Sequence, residues 1–73
     1  MIKMDKIESR FGYRVKEIRL KQNISQEELA FRCGLSKNYI SDVERGTRNI
    51  SLKSIEKIAT GFAVDIKDLF EFK

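Results

Sequence analysis

No proline and no histidine occur in this sequence, and cysteine occurs once, at Cys33. A lone thiol cannot close an internal disulfide, and without histidine it cannot complete an ordinary zinc site. The chain therefore reads as metal-free, cofactor-free and intracellular. No run of about 18 apolar residues is present, which excludes a membrane-spanning helix. The N-terminal "MIKMDKIESRF" lacks the apolar segment of a secretory signal, so the expected location is the cytoplasm. Enzymatic chemistry is equally poorly supplied. There is no nucleophile beside a plausible base and no glycine-rich phosphate loop, and the carboxylates are ordinary helical ones such as Glu27 and Glu28.

What is present is 73 residues carrying 15 Lys and Arg against 11 Asp and Glu, a net charge of +4. That length makes one domain, residues 1–73, near the lower size at which a single core folds without disulfides or metal. The basic excess favours a polyanionic partner. With only four glycines and no proline, the chain suits helices throughout.

Helix starts recur in one form. In "ISQEEL", Ser25 can cap a helix, Glu28 is placed to complete a capping box, and Ile24 and Leu29 can staple across the cap. The same arrangement of apolar residue, cap and apolar residue returns as Leu35, Ser36, Ile40; as Ile50, Ser51, Ile55; and as Val64, Asp65, Leu69. Ahead of these, Phe11, Val15, Ile18 and Ile24 supply the apolar face of a longer first helix, while Arg14, Lys16 and Lys21 lie on its other faces. Gly34 and Gly46 stand where the second and third helices need a residue tolerant of positive φ. Leu52, Ile55, Ile58, Ala59 and Phe62 form the buried face of a fourth helix. The fold expected is all-α: a compact five-helix domain, its second and third helices joined by a sharp turn at Gly34–Ser36.

On the third helix Ile40 and Val43 face inward, which leaves Lys37, Ser41 and Arg45 along one outer ridge and Asn38 and Asp42 along the next. A strip about 10 Å long thus offers cation, amide, hydroxyl and carboxylate, all groups able to read base edges. A solvated amphipathic face is the plain alternative. The tight turn favours the binding surface, because free N–H groups at both helix starts can meet phosphate.

The stretch "SQEELAFRCGLSKNYISDVERG" resembles the helix-turn-helix of the Cro and C1 repressor family, also called the xenobiotic-response-element family, over about Phe11 to Phe70. "YISDVERGTRNISLKSIEKIA" is similar to the controller proteins of restriction-modification systems. The resemblance implies a lambda-repressor-like fold and a sequence-specific transcriptional regulator. It implies phosphate contacts from Gln26, Tyr39, Arg45 and Asn49, and base contacts from Lys37, Asn38, Ser41, Asp42 and Arg48. Lys37 and Arg48 suit guanine, Asn38 suits adenine, and Asp42 can accept from cytosine or exclude a wrong sequence by repelling phosphate. For Asn49 a local turn role stands beside DNA contact, and for Tyr39 core packing does. The family also implies an ion pair between Arg19 and Glu44, and core packing for Cys33.

One short recognition helix reads few base pairs, so a homodimer on a palindromic double-stranded operator is expected, with the two helices about 34 Å apart. The tail "VDIKDLFEF" offers Val64, Phe70 and Phe72 for the interface. RNA polymerase is a further candidate partner. A phage-like or stress repressor, or the antidote partner of a toxin, are the competing functions. Ala63 departs from the Gly, Asn or Asp of the family, and a left-handed conformation there would cost roughly 1 kcal/mol.

Overall fold

The computed structural model describes residues 6–72. Residues 1–5, part of the stretch read for a targeting signal, lie outside the described residues. Four α-helices follow one another: α1 (Ile7–Lys21), α2 (Gln26–Cys33), α3 (Lys37–Arg45) and α4 (Leu52–Phe62). A 3₁₀ helix, Ile66–Phe70, closes the chain. The all-α expectation holds, but the expected fifth α-helix is this single 3₁₀ segment. Five residues cannot repay the cost of nucleating an α-helix, and the tighter bond from the Asp68 N–H to the Asp65 carbonyl, 3.0 Å, sets the shorter period. The Asp68 carboxylate accepts from the Asp65 N–H at 3.1 Å and so locks the start of the turn.

Serine caps begin the other three staple-marked helices. Ser25, Ser36 and Ser51 accept from the N–H of Glu28, Tyr39 and Ser54 at 3.0, 3.0 and 3.1 Å. The capping box expected at Ser25 is half made. The Glu28 carboxylate turns away from the cap to accept from Arg32 Nε at 3.0 Å, a pair one turn along the helix. Gly34 and Gly46 end α2 and α3 with φ of +70° and +76°, as a left-handed cap requires.

Among the described residues thirteen side chains make the core, including Phe11, Val15 and Ile18 of α1, Leu29 of α2, Ile40 and Val43 of α3, and Leu69 of the 3₁₀ helix. Ile24 is not part of the α1 face. That helix ends at Lys21, Asn23 takes a positive φ of 58°, and Ile24 packs on the core from the α1–α2 turn. Leu52 also departs from expectation. Ile55, Ile58, Ala59 and Phe62 are buried, but Leu52 is 84% exposed, because the first turn of α4 runs past the elements that cover the rest of its face. Where α2 meets α4 the backbones come close: a Cβ at Gly61 would lie 2.5 Å from Cys33 Sγ.

Arg14, which the sequence places away from the apolar face of the first helix, is a structural tie. Its Nε donates to the Asp68 carbonyl at 2.8 Å, and its other nitrogens reach Glu17 and Glu71 at 2.9 and 3.4 Å, binding the 3₁₀ helix to α1.

Ala63 closes α4 in the left-handed region, at φ 60° and ψ 43°. Its Cβ carries a penalty of about 1 kcal/mol there that glycine escapes. Ala63→Gly is therefore expected to raise the thermal midpoint by about 4–8 °C, read by circular dichroism. A lower midpoint would show that the flexibility glycine adds to the unfolded chain outweighs the relieved strain.

Candidate nucleic-acid interface

The sharp turn at Gly34, Leu35 and Ser36 joins α2 to α3, and Ile40 and Val43 fasten α3 to the core at 0% and 3% exposure. What faces outward is what that anchoring leaves. Lys37 and Asn38 are exposed and make no side-chain hydrogen bond or ion pair among the described residues, so both are available to a ligand. Ser41 and Asp42 are half-buried beside them.

The rest of the outer face of α3 is already connected. The Asp42 carboxylate pairs through Oδ1 with Arg45 and through Oδ2 with Arg48 Nε at 3.4 Å. Arg45 also donates to Ser41 Oγ at 2.7 Å. The Arg48 guanidinium lies over the Tyr39 ring, 4.5 Å from its centroid. Tyr39 itself is half-buried and packs on the core, so its ring is both part of the fold and a platform for Arg48. Five of the residues expected to meet DNA thus form one cluster, held by Asp42 and Tyr39. Asn49 stands exposed just beyond it.

A second cluster sets α3 against α1 and α2. Arg19 Nε and one terminal nitrogen grip both oxygens of Glu44 at 2.7 and 3.2 Å, in the two-pronged geometry that suits guanidinium and carboxylate. The remaining terminal nitrogen donates to the Ile24 carbonyl at 2.9 Å. Gln26 Nε2 donates to Glu44 Oε1 at 3.0 Å. The expected ion pair is therefore present, and Gln26, expected at a phosphate, is braced by the same carboxylate while its amide oxygen has no partner among the described residues. Burial pushes the Cys33 thiol up to about 11, which keeps it protonated and inert near neutral pH.

This arrangement of helices is shared. A helix-turn-helix family model matches residues 15–69, three-quarters of the chain. The chain belongs to the helix-turn-helix family. It is 59% identical over 63 residues to the control protein C.BamHI of Bacillus amyloliquefaciens, covering 85% of this chain and 78% of that one. Its structure is similar to the restriction-modification controller protein C.AhdI of Aeromonas hydrophila, with a TM-score of 0.85, 44% identity, and coverage of 86% and 96%. It is also similar to the controller protein C.Esp1396I, solved as a tetramer on its natural 35-base-pair operator, with a TM-score of 0.81, 39% identity, and coverage of 88% and 84%. Membership of this helix-turn-helix family places the chain among DNA-binding transcription regulators rather than enzymes.

The expected dimer residues differ in exposure. Val64 and Phe72 are partly buried against the core, and Arg10 covers the Phe72 ring at 4.7 Å. Phe70, 5.2 Å from Phe11 between ring centroids, remains 40% exposed. It shares an apolar groove with Leu52, Ile55 and Ile66. Leu52 is not among the residues expected at this surface, because helical spacing counts it as core and its local pattern does not reveal its exposure.

Proposed function

We propose that this chain is a sequence-specific transcriptional regulator that binds a palindromic operator as a homodimer and controls a restriction-modification operon from the cytoplasm. The observation that carries this reading is the outer face of α3. It is pinned by Ile40 and Val43 directly behind a left-handed turn, with Lys37 and Asn38 uncommitted at its N-terminal end. The likeness to controller proteins supports the operon assignment.

Lys37, Asn38, Ser41, Asp42 and Arg48 are assigned to base edges, and Gln26, Tyr39, Arg45 and Asn49 to phosphates. The groove lined by Leu52, Ile55, Ile66 and Phe70 is assigned to the second copy, with Val64 and Phe72 supporting it from the core side. A second copy suits it because a two-fold interface meets the same patch on its partner. Two recognition helices then lie one DNA turn apart.

The test is titration of DNA from upstream of the protein's own gene, followed by fluorescence anisotropy over a range of salt. A tight, palindrome-dependent complex that weakens steeply with salt is expected. Lys37→Ala and Asn38→Ala should each flatten preference at one base-pair position, by about 1–3 kcal/mol. Gln26→Ala should weaken all sequences alike. Weak and equal binding to every duplex would overturn the assignment.

A further inference from the structure

We propose that Asp42 sets the specificity of this surface by competing with DNA phosphate for Arg45 and Arg48. This rests on the operator-binding reading of α3 and adds to it a reason for the discrimination between operator and other DNA.

Both oxygens of the Asp42 carboxylate are engaged, one with Arg45 and the other with Arg48. The two guanidiniums are 61% and 48% exposed on their side chains, whereas the Asp42 side chain is 28% exposed, so the anion sits behind the cations it holds. Each arginine has a second support that keeps it in place: Ser41 Oγ for Arg45 and the Tyr39 ring for Arg48. The carboxylate therefore acts as an internal substitute for phosphate. Half-exposed pairs of this kind are individually weak. Phosphate competes for both arginines on any duplex, but displacement leaves a carboxylate unpaired and facing a polyanion.

On non-cognate DNA that unpaired charge has no partner, and the two arginines stay with Asp42. Opposite a base edge that presents an N–H donor, such as the amino group of cytosine, Asp42 gains a new partner and the arginines are released to phosphate. Base reading and phosphate binding become linked through one side chain. The ordinary neutralisation of phosphate by surface cations carries no sequence information; here Asp42 makes two of those cations conditional on sequence.

The charge removal that tests this is Asp42→Asn, with Asp42→Ser as a second variant lacking both the charge and the shape. Helix content by circular dichroism confirms that each is folded. The backbone carbonyl of Asp42, which accepts from the Thr47 N–H and hydroxyl at 3.1 Å each, is retained in both. Binding is measured to a scrambled duplex and to the upstream DNA, at salt from about 50 to about 200 mM.

Two freed arginines should steepen the log–log salt slope on the scrambled duplex by about 2, equivalent to roughly tenfold more affinity lost across that range. At low salt the scrambled duplex should bind about tenfold tighter than to the unaltered protein, with a smaller gain or a loss on the operator, so that the ratio between them falls. Glu27→Gln removes the same charge from α2, where Glu27 makes no ion pair among the described residues, and its slope should match the unaltered protein. An unchanged slope in both Asp42 variants would overturn the proposal. So would an equal gain on both duplexes, or an equal steepening in Glu27→Gln. If the unaltered protein shows no preference for the upstream DNA, the operator reading fails, and the slope on scrambled DNA still decides whether Asp42 holds the arginines.

Discussion

Glu44→Ala is expected to lower the unfolding free energy by about 3–5 kcal/mol, the loss typical of stranding one member of a buried ion pair. The geometry explains the size. The Arg19 and Glu44 side chains are 12% and 5% exposed, so water cannot replace the missing carboxylate around the guanidinium. Glu44 accepts from Arg19 twice and from Gln26 once, and its loss leaves three donors short of a partner. For 73 residues the whole stability is about 4–11 kcal/mol. The variant should therefore unfold at a much lower urea concentration, and partly unfold without urea if the domain lies at the weaker end. Pairing Arg19→Met with Glu44→Leu removes both charges and should recover most of the loss, since well-packed apolar replacements of buried ion pairs are often neutral or better. A loss below about 1 kcal/mol for Glu44→Ala would mean that the site behaves as a solvated surface pair.

Gly12→Ala is expected to be destabilising by about 3 kcal/mol, although alanine is the better helix former by about 1 kcal/mol. A Cβ at Gly12 would lie 2.1 Å from the Val43 carbonyl oxygen and 2.9 Å from that of Glu44. Both obstacles are backbone of α3, so no side-chain rotation can relieve them. The helices must separate. For a domain of this size the thermal midpoint should fall by about 12–24 °C, and operator binding should weaken even where the protein remains folded, because α3 is the element displaced. An unchanged midpoint would show that α1 and α3 can move apart freely. The contrast with Ala63→Gly is instructive: the same methyl group is harmful at two places for unrelated reasons, a steric one at residue 12 and a torsional one at residue 63.

These cases show where sequence reading succeeds. The three serine caps, the left-handed ends at Gly34 and Gly46 and the inward pair Ile40 and Val43 all depend on neighbours within about four residues, and all are legible; the torsion at Ala63 is raised only by its departure from the resembling family. The Arg19–Glu44 pair was legible only through family resemblance, since 25 positions separate its members. Gly12 was silent, because a glycine in a helix reads as a weak propensity until the opposing backbone is known. Leu52 misled for a related reason: periodicity reports which face of a helix is apolar but not how far the covering elements extend. The fifth helix was placed at the right residues with the wrong period, as its length and the Asp65–Asp68 bonds favour the tighter turn. At the candidate interface the sequence indicated which side chains face outward. It did not indicate that five of them would be joined to one another, because the pairing of Arg48 with Asp42 and Tyr39 depends on how the chain turns after Gly46.

The contact between Gly61 and Cys33 has a kinetic meaning. Cys33 is the only thiol, it is 6% exposed, and its sulfur fills the space that any side chain at position 61 would need. A thiol reagent can reach it only after α2 lifts from α4, and reaction proceeds through the thiolate that this burial suppresses. The speed of labelling therefore reports the open population when reclosing outpaces reaction and the opening rate when it does not, so the native thiol serves as a reporter of the breathing of the helix-turn-helix without an introduced cysteine.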